Sequence, residues 1–311
     1  MIRYIGLRFL QALLGLWFIA TLVFILSRSI GDPAEIFTAR NSGVDAREIM
    51  AQKLGLDKPL YYQYAIYMGQ LARGNLGESV RNGFPVTQVL AERLPATFTL
   101  GLIALIFAVT VSIPLGVLGA VYRDSPIDWI AKMVAFLGQS MPPFWLGIML
   151  IILFAVVWGI VPPAGKLGPT SYLLPSFTLG WAVMAGMVRL VRSSMLDVLD
   201  SDYVTMARAK GLAEIVVVSK HGLRNALIPV ITYSSLVLGA FMNGSVVVEQ
   251  VFAWPGIGYQ LWQAIQARDI PTIQGASLII GAAFVLVNLA VDVLNAYTDP
   301  KIRISEGVRS R

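Results

Sequence analysis

Six apolar stretches of membrane-crossing length constrain this chain more than any other feature. They lie at about 9–29, 97–121, 129–158, 173–192, 226–250 and 274–298. A helix of about 20 residues rises about 30 Å, the thickness of the hydrocarbon core, and within that core a helix satisfies its own backbone polar groups. The expected fold is therefore all-α: an integral membrane protein with six transmembrane helices. The same stretches make 56% of the residues hydrophobic and leave 14% charged, too apolar a balance for a soluble domain of this length. The chain has no cysteine, which excludes disulfides, thiolate metal sites and a cysteine nucleophile. His221 stands alone, so no metal site is expected.

The net charge of +6 comes from Lys and Arg placed between apolar stretches, not along one polar face. That pattern fixes membrane topology and does not point to nucleic acid. The tail DPKIRISEGVRSR and the loop YVTMARAKGLAEIVVVSKHGLRN are basic, while the short loops 159–172 and 251–273 hold only Lys166 and Arg268. With an even span count, both termini are expected in the cytoplasm. Arg3 and Arg8 before the apolar run Phe9–Leu26 imitate a signal peptide, but the run is long and no small-residue cleavage site follows, so it reads as an uncleaved first span.

Four regions are expected. Residues 1–30 form the cytoplasmic N-terminal end and first span, 31–96 a small helical external subdomain, 97–298 a five-helix membrane core, and 299–311 a cytoplasmic tail. In the external segment an apolar helical face runs through Ile49, Leu54, Tyr64, Met68 and Leu71, and Gly74 and Gly77 mark turns. Prolines 114, 142, 143 and 175 and glycines 116, 119, 147 and 186 read as kinks and close helix packing.

The loop 195–224 is too polar to span. Tyr203–Lys210 favours helix, Asp200 and Asp202 suit its positive N-terminal end, and Gly211 suits its C-cap. A second run, Ala213–His221, leads into the next span. Two short helices meeting at a glycine make a compact knob, a shape fitted to a socket on another protein.

ARAKGL followed about 17 residues later by Ile228-Pro229 resembles the loop by which permease subunits of ABC transporters dock onto their ATPases. More narrowly, the chain resembles the first, B-type, permease of the dipeptide, oligopeptide and nickel importer family. The resemblance runs in order through LGLDKPLYYQY, GNLGES, PVTQVLAERLPATFTL, YVTMARAKGL, RNALIPVIT, EQVFAWPGIG and DPKIR, nearly the whole chain. It departs at Met206 and Ala207, where the loop's acidic residue would stand, at Asn75, where Asp is usual, and at Gln250, where Thr is common.

The resemblance implies a type I ABC importer permease fold in the inner membrane. It implies a multi-pass subunit that carries half of a pathway for peptides or a related small solute, such as a nickel chelate. Its partners would be a second, C-type permease, two P-loop ATPase subunits and an external substrate-binding protein. Tyr203, Met206, Ala207, Arg208, Ala209, Lys210, Gly211 and Leu212 would meet the ATPase. ATP and Mg would sit on those subunits, with no cofactor in this chain. No GxxxxGK[ST] is present, since Gly165-Lys166 lacks the following Ser or Thr, so the chain is not expected to be an enzyme.

Two other groups stand out. Glu249, with Phe252, Trp254, Pro255 and Gly256, reads either as an outer gate or binding-protein contact, or as a solvated helix end with a Pro-Gly turn. Asp292, with Asn288 and Asn295 on the same face of the last span, reads as an interhelical hydrogen-bond fixture more than a proton relay. An ion-coupled secondary transporter acting alone is the competing function. It calls for several buried ionisable residues, of which the apolar stretches offer Asp292.

Overall fold

The computed structural model describes residues 2–29 and 58–298, and every described element with a regular backbone ladder is a helix. In chain order these are α1 (Ile2–Ser29), α2 (Leu60–Ala72), α3 (Val86–Val121), α4 (Pro126–Ser140), α5 (Pro143–Leu150), α6 (Leu173–Leu199), α7 (Asp202–Ala209), α8 (Glu214–Val216), α9 (Arg224–Val251), α10 (Ile257–Ala267) and α11 (Ile270–Thr298). α5 continues as a wider π-helical stretch, Ile151–Val157, and a second such stretch, Val217–Leu223, joins α8 to α9.

Among the described residues, five helices are long and apolar enough to cross a membrane: Ile5–Ser27, Val86–Val121, Pro169–Leu199, Glu214–Phe241 and Ile270–Val291. The sixth expected span is broken. Pro126–Ser140 and Pro143–Val157 meet at 104°, because Pro142-Pro143 removes two helix donors and holds the preceding residue out of the helical region. Met141 is accordingly extended, at φ −89° and ψ 121°.

Residues 86–97 of PVTQVLAERLPAT, expected in the helical external segment, open the same helix, α3, that carries the second apolar stretch. Val86 and Leu90 lie one turn apart and are fully buried, while the polar Gln88 and Glu92 bond to each other on the exposed side. That amphipathic pattern carries the helix well beyond the purely apolar stretch.

The chain divides into two compact units, and α3 runs from the first into the second. The first comprises residues up to Thr97 together with Pro255–Leu289. Its core joins Val86 and Leu90 of α3 to Ile257 of α10 and to Ala276 and Ile280 of α11. A Cβ on Gly275 would lie 2.5 Å from Val86 Cγ1, so α3 and α11 touch through a missing side chain. Phe24 of α1 packs against Tyr64 and Tyr67 of α2. Asp269, just before α11, is buried; it accepts bonds from Ser79 Oγ, Val80 N and Thr272 Oγ1, tying the 74–85 turn to the head of that helix. Gly74 and Gly77 take left-handed φ values of 72° and 84°, as expected of turn residues. Of the expected helical face, Ile49 and Leu54 lie outside the described residues, while Tyr64, Met68 and Leu71 lie on α2.

The second unit comprises Phe98–Trp254 and the chain from Ala290 on. α6 is its centre, with α4, α5 and α9 packed around it. A Cβ on Gly116 of α3 would lie 2.6 Å from Val191 Cβ, a clash that only glycine avoids. Asp128, fully buried at the start of α4, is held by Arg192 of α6 through two bonds of 2.6 and 2.9 Å and by Lys132 at 2.8 Å. It also accepts from the Asp124 N–H. One carboxylate thus fastens the α3–α4 turn to the central helix.

Candidate functional site

The knob expected from the sequence forms between α6 and α9. After Leu199 the chain turns, with Ser201 extended as the N-cap of α7. Asp202 stands in the first turn of α7 and Arg208 in its last, each at the pole that favours its charge. The end of α7 is a Schellman motif. Leu212 N–H reaches Ala207 O, Gly211 N–H reaches Arg208 O, and Gly211 sits at φ +78°. The chain then redirects through the extended Ala213 into α8.

Which side of α7 faces inward follows from spacing. Val204 and Ala207 lie one turn apart and are buried against Val217, Met195 and Leu199. Ala207, expected among the residues that meet a partner, is therefore turned into the chain's own core, because Val217 returns over it after the glycine turn. The opposite side is open and apolar. Tyr203 (44% exposed), Met206 (60%), Leu212 (41%), Ile215 (74%) and Val216 (37%) all present side chains outward, and Ala209, Lys210 and Gly211 are exposed beside them.

The knob is braced by polar side chains. Arg208 grips Glu214 with two bonds, Nη2 to Oε1 at 2.8 Å and Nε to Oε2 at 3.2 Å, and its Nη1 donates to the Leu199 carbonyl. The Glu214 carboxylate bonded to it raises the guanidinium pKa above its ordinary value. Asn225 Nδ2 donates to the Tyr203 hydroxyl at 2.8 Å, so that ring is fixed to the head of α9. Glu214 and Asn225 were not singled out in the sequence, because their partners stand across the glycine turn.

The other two groups fare differently. Glu249, Phe252 and Trp254 are buried. Phe252 O accepts from Gly165 N at 2.8 Å, Trp254 meets Tyr172 edge-on at 4.6 Å, and Ala253 takes a left-handed φ of 44°. These three side chains are turned inward, so Glu249 is not the solvated helix end that one reading expected. Pro255 is half-buried and Gly256 buried, the latter as the N-cap of α10. Asn288 is half-buried on α11; Asp292 and Asn295 lie outside the residues whose side chains are described.

Comparison with known proteins agrees with this architecture. The family described as binding-protein-dependent transport system inner membrane component matches residues 112–304, and its N-terminal companion matches residues 1–101. A glutathione transport system permease protein, GsiC, of Escherichia coli is 41% identical over 304 residues, covering 97% of this chain and 99% of the relative. The protein of that name from Pectobacterium atrosepticum is 42% identical over the same coverage. A solved chain of the MetNI methionine ABC transporter shares the fold, with a TM-score of 0.54 and 18% identity over 68% of this chain and 97% of that one. The chain belongs to the binding-protein-dependent transport family and is a membrane-spanning permease subunit of an ABC importer.

Proposed function

We propose that this permease imports a small peptide of the glutathione kind, and that the knob 202–223 is where an ATPase subunit grips it. The observation that carries the reading is the knob's two-sidedness. One side is rooted in the core of α6 and α9 through Val204, Ala207 and Val217. The other leaves five large apolar side chains in the open on a frame braced by Arg208–Glu214. A rigid lever of this kind transmits a push from a partner into the spans as rigid-body motion. The cargo reading is supported by the 41% and 42% identical relatives, which are glutathione transport system permease proteins.

In the assembly so proposed, two ATPase subunits hold ATP and Mg, a second permease supplies the other half of the pathway, and an external binding protein delivers the cargo. Both termini and the knob lie in the cytoplasm, as the Lys and Arg bias of the short loops favours. The test is gentle purification from the native membrane followed by mass spectrometry. A second permease and P-loop ATPases should accompany the chain, and the binding protein that accompanies it should take up glutathione. Recovery of the chain alone, moving solute down an ion gradient, would replace this reading with that of a self-sufficient transporter.

A further inference from the structure

Two arginines stand three residues apart on α6 and live differently. Arg192 is committed to the buried Asp128. Arg189 is exposed and, among the described residues, its side chain makes no ion pair or hydrogen bond. It lies within the candidate span Pro169–Leu199, about 24 Å along α6 from Leu173. A bare guanidinium facing lipid is costly, so a cation within a span belongs against protein or a water-filled passage.

Its surroundings resemble a ligand site. Arg189, Lys132 and Arg192, with Ala131, Ala135, Phe136 and Val188, line a cavity of about 370 Å³ between α4 and α6. Three cations meet there over one carboxylate, that of Asp128, which already shares itself between two of them. Asp124, 3.8 Å from Lys132, is largely exposed. The cavity is therefore positive, with Arg189 the cation left over.

One turn along α6 from Arg189, Gly186 leaves a notch. A Cβ there would lie 3.2 Å from the Tyr233 hydroxyl and 3.8 Å from Gln139 Nε2. An amide on α4 and a phenol on α9 thus extend the polar strip along α6 toward its N-terminal half. Arginine, amide and hydroxyl beside Phe136 and Ala135 suit a small molecule that carries a carboxylate and a short apolar or peptide body.

We infer that Arg189 lines the transport pathway and binds a carboxylate of the cargo in transit, so that the permease itself favours anionic peptides. This rests on the importer reading above and adds a residue and a charge preference to it. A phospholipid headgroup, also anionic, is the other occupant that the test must separate.

The test uses the whole importer, reconstituted in zwitterionic liposomes with glutathione as cargo, and compares complexes that keep all their subunits. Arg189→Gln should lower uptake by about tenfold or more, the loss of one charge-assisted bond, and Arg189→Lys should recover most of it. Because the chain has no cysteine, Arg189→Cys supplies a second readout. Its thiol should react with a membrane-impermeant sulfonate reagent, and S-methylglutathione, which has no thiol to consume the reagent, should slow that reaction. Wild-type uptake by Arg189→Gln, or an unreactive thiol at 189, would overturn the inference alone. So would an uptake defect that appears only when anionic lipid is present, which assigns the cavity to a headgroup. A wild-type importer that takes up no glutathione would overturn the cargo reading, and this inference with it.

Discussion

The turn that follows α6 and the turn that follows α9 look alike in sequence and behave in opposite ways. Each ends a long span, carries a family motif and has a residue with positive φ: Gly211 in the first, Ala253 in the second. In the first, Tyr203, Met206, Leu212 and Ile215 point outward; in the second, Glu249, Phe252 and Trp254 are sealed. The motif thus marks two kinds of work. The open turn keeps apolar surface for a partner, as large exposed apolar patches do, and the sealed turn uses its aromatics to hold its own helices together.

If that contrast is right, mutations in the two turns should separate stability from assembly. The largest loss of stability should come from Trp254→Ala. It empties a fully buried site against Tyr172, at a cost of about 3–5 kcal/mol, read as a lowered thermal midpoint of the purified permease and low recovery from the membrane. Next comes Gly211→Ala. At φ +78° a side chain costs about 1–2 kcal/mol, and the shape of the knob suffers more than the fold. ATPase recovery should drop while helical content by circular dichroism stays unchanged. Arg208→Ala removes an exposed clamp on Glu214 worth only a few tenths of a kcal/mol. Proteolysis between 208 and 214 should speed up, with the thermal midpoint nearly unmoved. An equal fall in midpoint for Arg208→Ala and Trp254→Ala would erase the contrast.

The spans were legible because membrane-crossing helices must be apolar for about 20 residues, and no other force competes with that signal. The knob was legible for a similar reason, since helix formers followed by glycine have few other uses. What could not be read was which way small or amphipathic residues face. Ala207 turns inward only because Val217 packs over it from beyond the turn. Asp128 finds Arg192 across 64 positions of sequence, a distance that no local pattern spans. Pro142-Pro143 announced a kink, but not that it would open to 104°. Residues 31–96 read as a helical segment separate from the second span, because the polar Glu92 and Arg93 hide that Val86–Val121 is one continuous helix.

The most direct measurement of the knob's role is ATPase recovery with Met206→Asp, a change confined to a side chain that is 60% exposed. Surface changes of this kind leave stability within about 0.5 kcal/mol, so the permease should purify with an unaltered thermal midpoint and with its partner permease, yet without ATPase subunits. Full ATPase recovery by that variant, at the same midpoint, would show that the exposed face of the knob is not where the importer takes hold of its motor.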